Sequence, residues 1–138
     1  PDQVRAADIQ AVGRLDADTT GVLLITNDGQ FNHRMTSPKH KVDKIYRATL
    51  KHAADPSLCA QLQAGVLLHD DNETVAAQTA ELHDAHTLIL TIREGKYHQV
   101  KRMVAAAGNR VEHLHRLQFG PWDTQDLQAG EWRFIRVE

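Results

Sequence analysis

At 138 residues the chain has the length of one domain and enough substance for a hydrophobic core. With 41% hydrophobic and 25% charged residues, its composition excludes wholesale disorder, and no apolar run approaches the ~20 residues of a membrane-spanning helix. The single cysteine, Cys59, excludes an internal disulfide and fits a reducing cytoplasm. No secretory leader is visible, and because the chain opens at Pro1 an absent upstream segment is compatible with it.

A formal net charge of −2 does not mark a nucleic-acid binder, but the charge is unevenly spread. Five Lys/Arg (Arg34, Lys39, Lys41, Lys44, Arg47) face one acid, Asp43, between His33 and Arg47. Arg93 to Arg102 holds Arg93, Lys96, Lys101 and Arg102 against Glu94. Between His52 and Thr87 there are six acids and no Lys or Arg. A polyanion is then drawn to one face and repelled by another, which steers orientation as well as affinity.

In chain order, Pro1 to Val12 reads as irregular. Val22 to Ile25 is a continuous apolar run, as in a strand buried on both faces. Asn27-Asp28-Gly29 supplies turn chemistry ahead of a short helix over Gln30 to Thr36, stopped by Pro38. Lys44 to Leu50 reads as a strand. Asp55-Pro56 is a helix cap with a first-turn proline, and that helix ends at Gly65. Val75 to Leu82 and Thr87 to Ile92 read as paired strands. Tyr97 to Ala107 is the clearest helix, with Val100, Met103, Val104 and Ala107 on one apolar stripe and Gly108 at its end. Strands near Arg110 to Phe119 and Trp132 to Val137 close the chain. The expected fold is α+β, a mixed and largely antiparallel sheet flanked by helices.

Three stretches carry chemical potential. The first, Gly13-Arg14-Leu15-Asp16-Ala17-Asp18-Thr19-Thr20-Gly21, places two carboxylates in a glycine-flanked loop before an apolar strand. Asp-x-Asp-x-Thr is also how haloacid-dehalogenase-type phosphatases set a nucleophile and a second acid beside magnesium. That mechanism wants its first Asp at the end of an apolar parallel strand, and Ala11 to Leu15 is a poor one. The second stretch, Lys44-Ile45-Tyr46-Arg47, offers an aromatic ring among cations, where base stacking is worth ~1–3 kcal/mol. In the third, Glu94 to Met103, a turn of 100° per residue puts Lys101 on the flank of the apolar stripe, able to curl toward a carboxylate. Arg102 lies nearly opposite, toward solvent, where phosphate would meet it.

Taken together and in order, these stretches resemble the RsuA-type pseudouridine synthase family. They match its Gly-Arg-Leu-Asp-x-Asp-Thr-Thr-Gly, Lys-x-Tyr and Glu-Gly-x-x-x-Gln-Val-Lys-Arg-Met motifs. Asp28-Gly29-x-x-x-His33-Arg34-x-Thr36-x-Pro38 and Gly130-Glu131-Trp132-Arg133 are similar to that family too. The resemblance implies an isomerase that detaches a uracil from its ribose and rejoins it through C5. It implies Asp16 as the essential carboxylate, Tyr46 as stacking partner and proton acceptor, and Lys101 as the cation paired with Asp16. Arg14, Arg34 and Arg102 are the candidate RNA-binding residues, with His33, His40 and His98 as possible assistants. No metal or cofactor is expected, since the reaction has neither redox change nor leaving phosphate, and the histidines show no zinc-like spacing.

Lys101 and His98 in the third motif resemble the small-subunit branch rather than the large-subunit enzymes, which more often read Asn-Arg-Gln-Val-Arg-Arg. The expected substrate is therefore one uridine in 16S rRNA, in a pre-ribosomal particle, with a 23S site as the alternative. The expected enzyme is a cytoplasmic monomer with no membrane partner. Residues 1–138 are expected to be its catalytic domain, incomplete at the N-terminal side, because relatives carry an S4-like RNA-binding domain, a linker and a first catalytic strand upstream.

Overall fold

The computed structural model describes residues 9–37, 39–124 and 127–135. Three short strands open it: β1 (Gln10–Val12), β2 (Thr19–Gly21) and β3 (Leu24–Thr26). β1 and β3 form an antiparallel pair, Val12 opposite Leu24, so the described part of the opening segment is not wholly irregular. Helix α1 (Gly29–Thr36) follows, its first turn capped by the Asp28 carboxylate, which accepts from the amides of Gln30 and Phe31. Such a cap contributes about 1 kcal/mol. The helix ends where Ser37 turns extended (ψ 133°), as a residue before proline prefers; Pro38 lies outside the described residues.

The main sheet is built from β4 (Lys44–Leu50), β7 (Thr79–Asp84), β8 (Thr87–Ile92), β9 (Val111–Phe119) and β10 (Trp122–Asp123), in the order β10-β9-β4-β8-β7. β2 adds to β9 in the one parallel pairing among the described residues, Gly21 beside Arg116. The remaining ladders of this sheet are antiparallel, which is the mixed α+β architecture expected. Helix α2 (Pro56–Ala64) is capped by Asp55 and ends at Gly65. Helix α3 (Gln99–Ala106) presents Val100, Met103 and Val104 to the core.

Four further sequence expectations change. Val75 to Leu82 is not one strand: β6 (Glu73–Val75) pairs with an unforeseen β5 (Val66–Leu68), and the Ala77 amide is drawn off to the Leu62 carbonyl at 2.8 Å before β7 starts. The Val22–Ile25 run is not buried on both faces, because Val22 and Leu24 face the core while Ile25 is 59% exposed. Tyr97 precedes α3 rather than starting it. The described part of the Trp132 to Val137 segment is not a strand, and Trp132 and Phe134 are exposed; residues 136 and 137 lie outside the described residues.

Two apolar cores result. The larger packs α2, α3, β5 and β6 on the sheet through Leu50, Leu62, Leu88, Leu90, Met103 and Leu114. The smaller joins Val12, Val22, Leu24, Phe31 and Phe119. Each fully buried side chain of this size contributes about 1.5–3 kcal/mol, so both cores hold rigidly what lies between them.

Candidate active site

What lies between them is a cleft of about 440 Å³, lined from both cores by Asp16, Tyr46, Ile92, His98, Leu114, Arg116 and Phe119 among others. Asp16 enters it from the loop joining β1 to β2. That loop turns tightly, with the Thr19 amide donating to the Asp16 carbonyl at 2.9 Å. Gly13 (φ +59°) opens it, and a side chain there would meet Phe119 at 2.8 Å. Gly21 (φ +116°) closes it where a Cβ would lie 2.1 Å from the Arg116 carbonyl oxygen. Both positions therefore need glycine.

The Asp16 side chain is 37% exposed and meets two groups from the α3 region. His98 Nε2 stands 3.4 Å from its Oδ1, and Lys101 Nζ stands 3.8 Å from its Oδ2. Lys101 is closer to Asp18, donating to its Oδ1 at 2.8 Å. That hydrogen bond holds the Asp18 carboxyl below the usual carboxylate range. One ammonium thus serves two carboxylates, and the nearer is the one that sequence reasoning left aside.

Tyr46 lies on β4 and lines the cleft, paired across the sheet with Leu90 on one side and Arg116 on the other. Arg14 is exposed and also lines the cleft. Arg34 is exposed on α1, its guanidinium 5.6 Å from the Phe31 ring, and is not among the lining residues. The expectation for Arg102 is corrected in geometry. Its Nε donates to the Tyr97 carbonyl at 2.7 Å and its Nη2 to Asp71 at 3.1 Å, so it is tied down rather than open to solvent. His33 and His40 are exposed and do not line the cleft.

Three features exceed the sequence reading. Gln99 is buried, and its amide donates to Glu94 at 2.9 Å while accepting from the Lys96 amide at 3.1 Å. That explains the Glu94-x₄-Gln99 spacing: the glutamine closes the loop before α3. His98 caps α3 in the left-handed region (φ 47°, ψ 40°) without a side-chain cap bond, a conformation that costs a residue with a Cβ roughly 1–2 kcal/mol. Its ring stacks on that of Tyr97 at 3.8 Å, and Tyr97 is 75% exposed at the cleft rim. Arg116 is buried at the cleft wall; its alternation with Leu114 on β9 is the one sequence signal that put it on the core side. Nearby, Lys44 donates to the carbonyls of Arg93 and Glu94. Burial, then the Arg116 charge, hold its ammonium below the usual lysine range.

The sequence matches the profile of the RNA pseudouridylate synthase family over residues 2–106. The chain belongs to that family. As a pseudouridylate synthase family member it is 46% identical over 140 residues to ribosomal small subunit pseudouridine synthase A of Vibrio vulnificus, covering 99% of this chain and 60% of that protein. The protein of the same description from Salmonella typhimurium is 45% identical over 138 residues, with the same two coverages. The fold superimposes on a crystal structure described as a pseudouridylate synthase with a TM-score of 0.89 at 44% identity, over 95% of this chain and 57% of that one. The chain thus spans about three-fifths of the length of the curated relatives it matches.

Proposed function

We propose that this chain is the catalytic domain of an rRNA pseudouridine synthase that isomerises one uridine of 16S rRNA, working with an S4-like RNA-binding module. The observation that carries the reading is Asp16 in the cleft with Tyr46, flanked by His98 and Lys101, in a chain whose curated relatives are small-subunit enzymes.

The chemistry breaks the N1–C1′ bond, turns the uracil, forms C5–C1′, moves the C5 proton away and leaves one on N1. Positive charge develops at C1′, and Asp16 meets it, either by bonding to C1′ or by taking the C2′ proton. Both routes need an ionised carboxylate, and the Lys101 ammonium stands 3.8 Å from its Oδ2. Tyr46 supplies a ring face for the base and an oxygen to receive the C5 proton. The target base leaves its stack to enter the cleft, with Arg14 and Arg34 meeting flanking phosphates and Arg102 holding the Tyr97 segment as well as any phosphate it meets. A magnesium-dependent phosphohydrolase built on Asp16 and Asp18 is disfavoured because Asp16 does not follow an apolar parallel strand: β1, the strand before it, pairs antiparallel with β3.

The enzyme acts as a monomer in the cytoplasm, on rRNA in a pre-ribosomal particle. Among the described residues no helix is long and apolar enough to cross a membrane. Incubation of the full-length protein carrying this sequence with 16S and 23S transcripts, followed by pseudouridine mapping, tests the reading. One new pseudouridine in 16S rRNA is expected. Product confined to 23S rRNA would move the substrate, and no product in either RNA or in pre-ribosomal particles would overturn the proposal.

A further inference from the structure

Arg116 is 1% exposed, and among the described residues no carboxylate lies within ion-pair distance of it. A buried guanidinium without an anion needs other compensation. It finds two backbone carbonyls: Nε donates to Val22 at 2.9 Å and Nη2 to Gly13 at 3.1 Å. The charge also sits 4.9 Å from the centre of the Phe119 ring.

Gly13 and Val22 bound the segment, made of the β1–β2 loop and β2 itself, that carries Asp16. The β1–β3 ladder ends with Val12 opposite Leu24, and just beyond it the two legs diverge. Arg116 sits in that fork and bonds one carbonyl on each leg. Its own backbone fixes the returning leg, since the Val22 amide donates to the Arg116 carbonyl at 3.0 Å and Gly21 lies in register beside Arg116. On the other side of β9, Arg116 is the register partner of Tyr46. One residue therefore connects the aspartate loop to the strand of the tyrosine.

We infer that Arg116 is a positioning residue for the isomerisation, its guanidinium holding both legs of the 13–22 loop so that Asp16 stands at a fixed distance from Tyr46. The inference rests on Asp16 being the reacting carboxylate. A residue that merely filled the core would need volume and no fork; lysine, a point charge, reaches one carbonyl well and not two in one plane. Loosening one leg displaces the carboxylate, and a displacement of about 1 Å costs on the order of 100-fold in rate.

The test compares Arg116→Lys and Arg116→Met with Asp16→Asn in the full-length protein. Single-turnover rate, RNA affinity and amide hydrogen exchange at Thr19 and Val22 are measured below the melting temperature of each variant. Arg116→Lys is expected to fold, bind RNA within about twofold of the wild type and lose on the order of 100-fold in rate, with faster exchange at both amides and unchanged exchange in β8. Should Arg116→Met fail to fold, Arg116→Lys decides alone. A folded lysine variant with wild-type rate and exchange would reduce Arg116 to packing, and a loss confined to RNA affinity would make it a substrate contact; either result overturns the inference. Turnover in Asp16→Asn would instead remove the reading beneath it, whatever the exchange data show.

Discussion

The imidazole of His98 stands 3.4 Å from the carboxylate of Asp16, held there by a left-handed backbone that few residues with a Cβ adopt. Its ring is backed by Tyr97, so the strain positions one polar group over the cleft. Asparagine tolerates the same conformation and lacks the imidazole. His98→Asn should therefore leave the melting temperature within about 3 °C and slow turnover about fivefold, the equivalent of roughly 1 kcal/mol for the lost polar contact. Calorimetry alongside single-turnover kinetics checks this; an unchanged rate would make His98 a helix cap only.

Asp18 engages Lys101 more closely than Asp16 does, yet it is exposed. Exposed ion pairs hold little, so Asp18→Ala should change turnover by less than about fivefold, with Lys101 free to turn wholly to Asp16. Steady-state kinetics of the alanine variant would show this. A loss as large as that of removing Asp16 would mean that both acids act together, as a phosphohydrolase requires.

Tyr46→Phe keeps the ring face and loses the hydroxyl. RNA affinity should stay within about twofold, since stacking survives, while product formation falls on the order of 100-fold for want of a proton acceptor. Full activity in the phenylalanine variant would leave Tyr46 as a stacking platform and place the acceptor elsewhere.

Away from the cleft, His115 shares the Thr20 hydroxyl with His113, its Nδ1 at 2.6 Å. Burial first, then the charges of Arg47 and His113, hold its imidazole below the usual histidine range. The unfolded chain then binds the proton more readily, so stability falls as pH drops from about 6.5 toward the folded-state value and changes no further below it. Urea midpoints at pH 7 and pH 5 should differ more for the wild type than for His115→Asn. Equal losses in the two proteins would contradict the assignment.

The parts of the fold read correctly from sequence are those where local chemistry decides. Asp55 and Gly65 bound their helix as capping requires, and Thr87 to Ile92, read as a strand, is β8. Misreadings arise where a distant partner decides. Ile25 is exposed because, among the described residues, nothing covers it on the outer face of the small β1–β3 pair, and an apolar run carries no record of that. Val75 and Thr79 fall in different sheets because α2 captures the Ala77 amide between them. At the site, Asp16, Tyr46 and Arg14 line one cleft. Arg102 does not stand free, since Asp71, a sequence-distant acid, takes it up. Arg116 belongs to none of the three motifs, and only the closure of β2 on β9 shows what it holds.

The central claim is that Asp16 performs the isomerisation. The most direct measurement is pseudouridine formation on 16S rRNA by purified Asp16→Asn, side by side with its RNA affinity and melting temperature. Asparagine nearly matches aspartate in size and cannot ionise. The account predicts no detectable pseudouridine, with affinity and melting temperature close to the wild type. Turnover near the wild-type rate in that variant would contradict it.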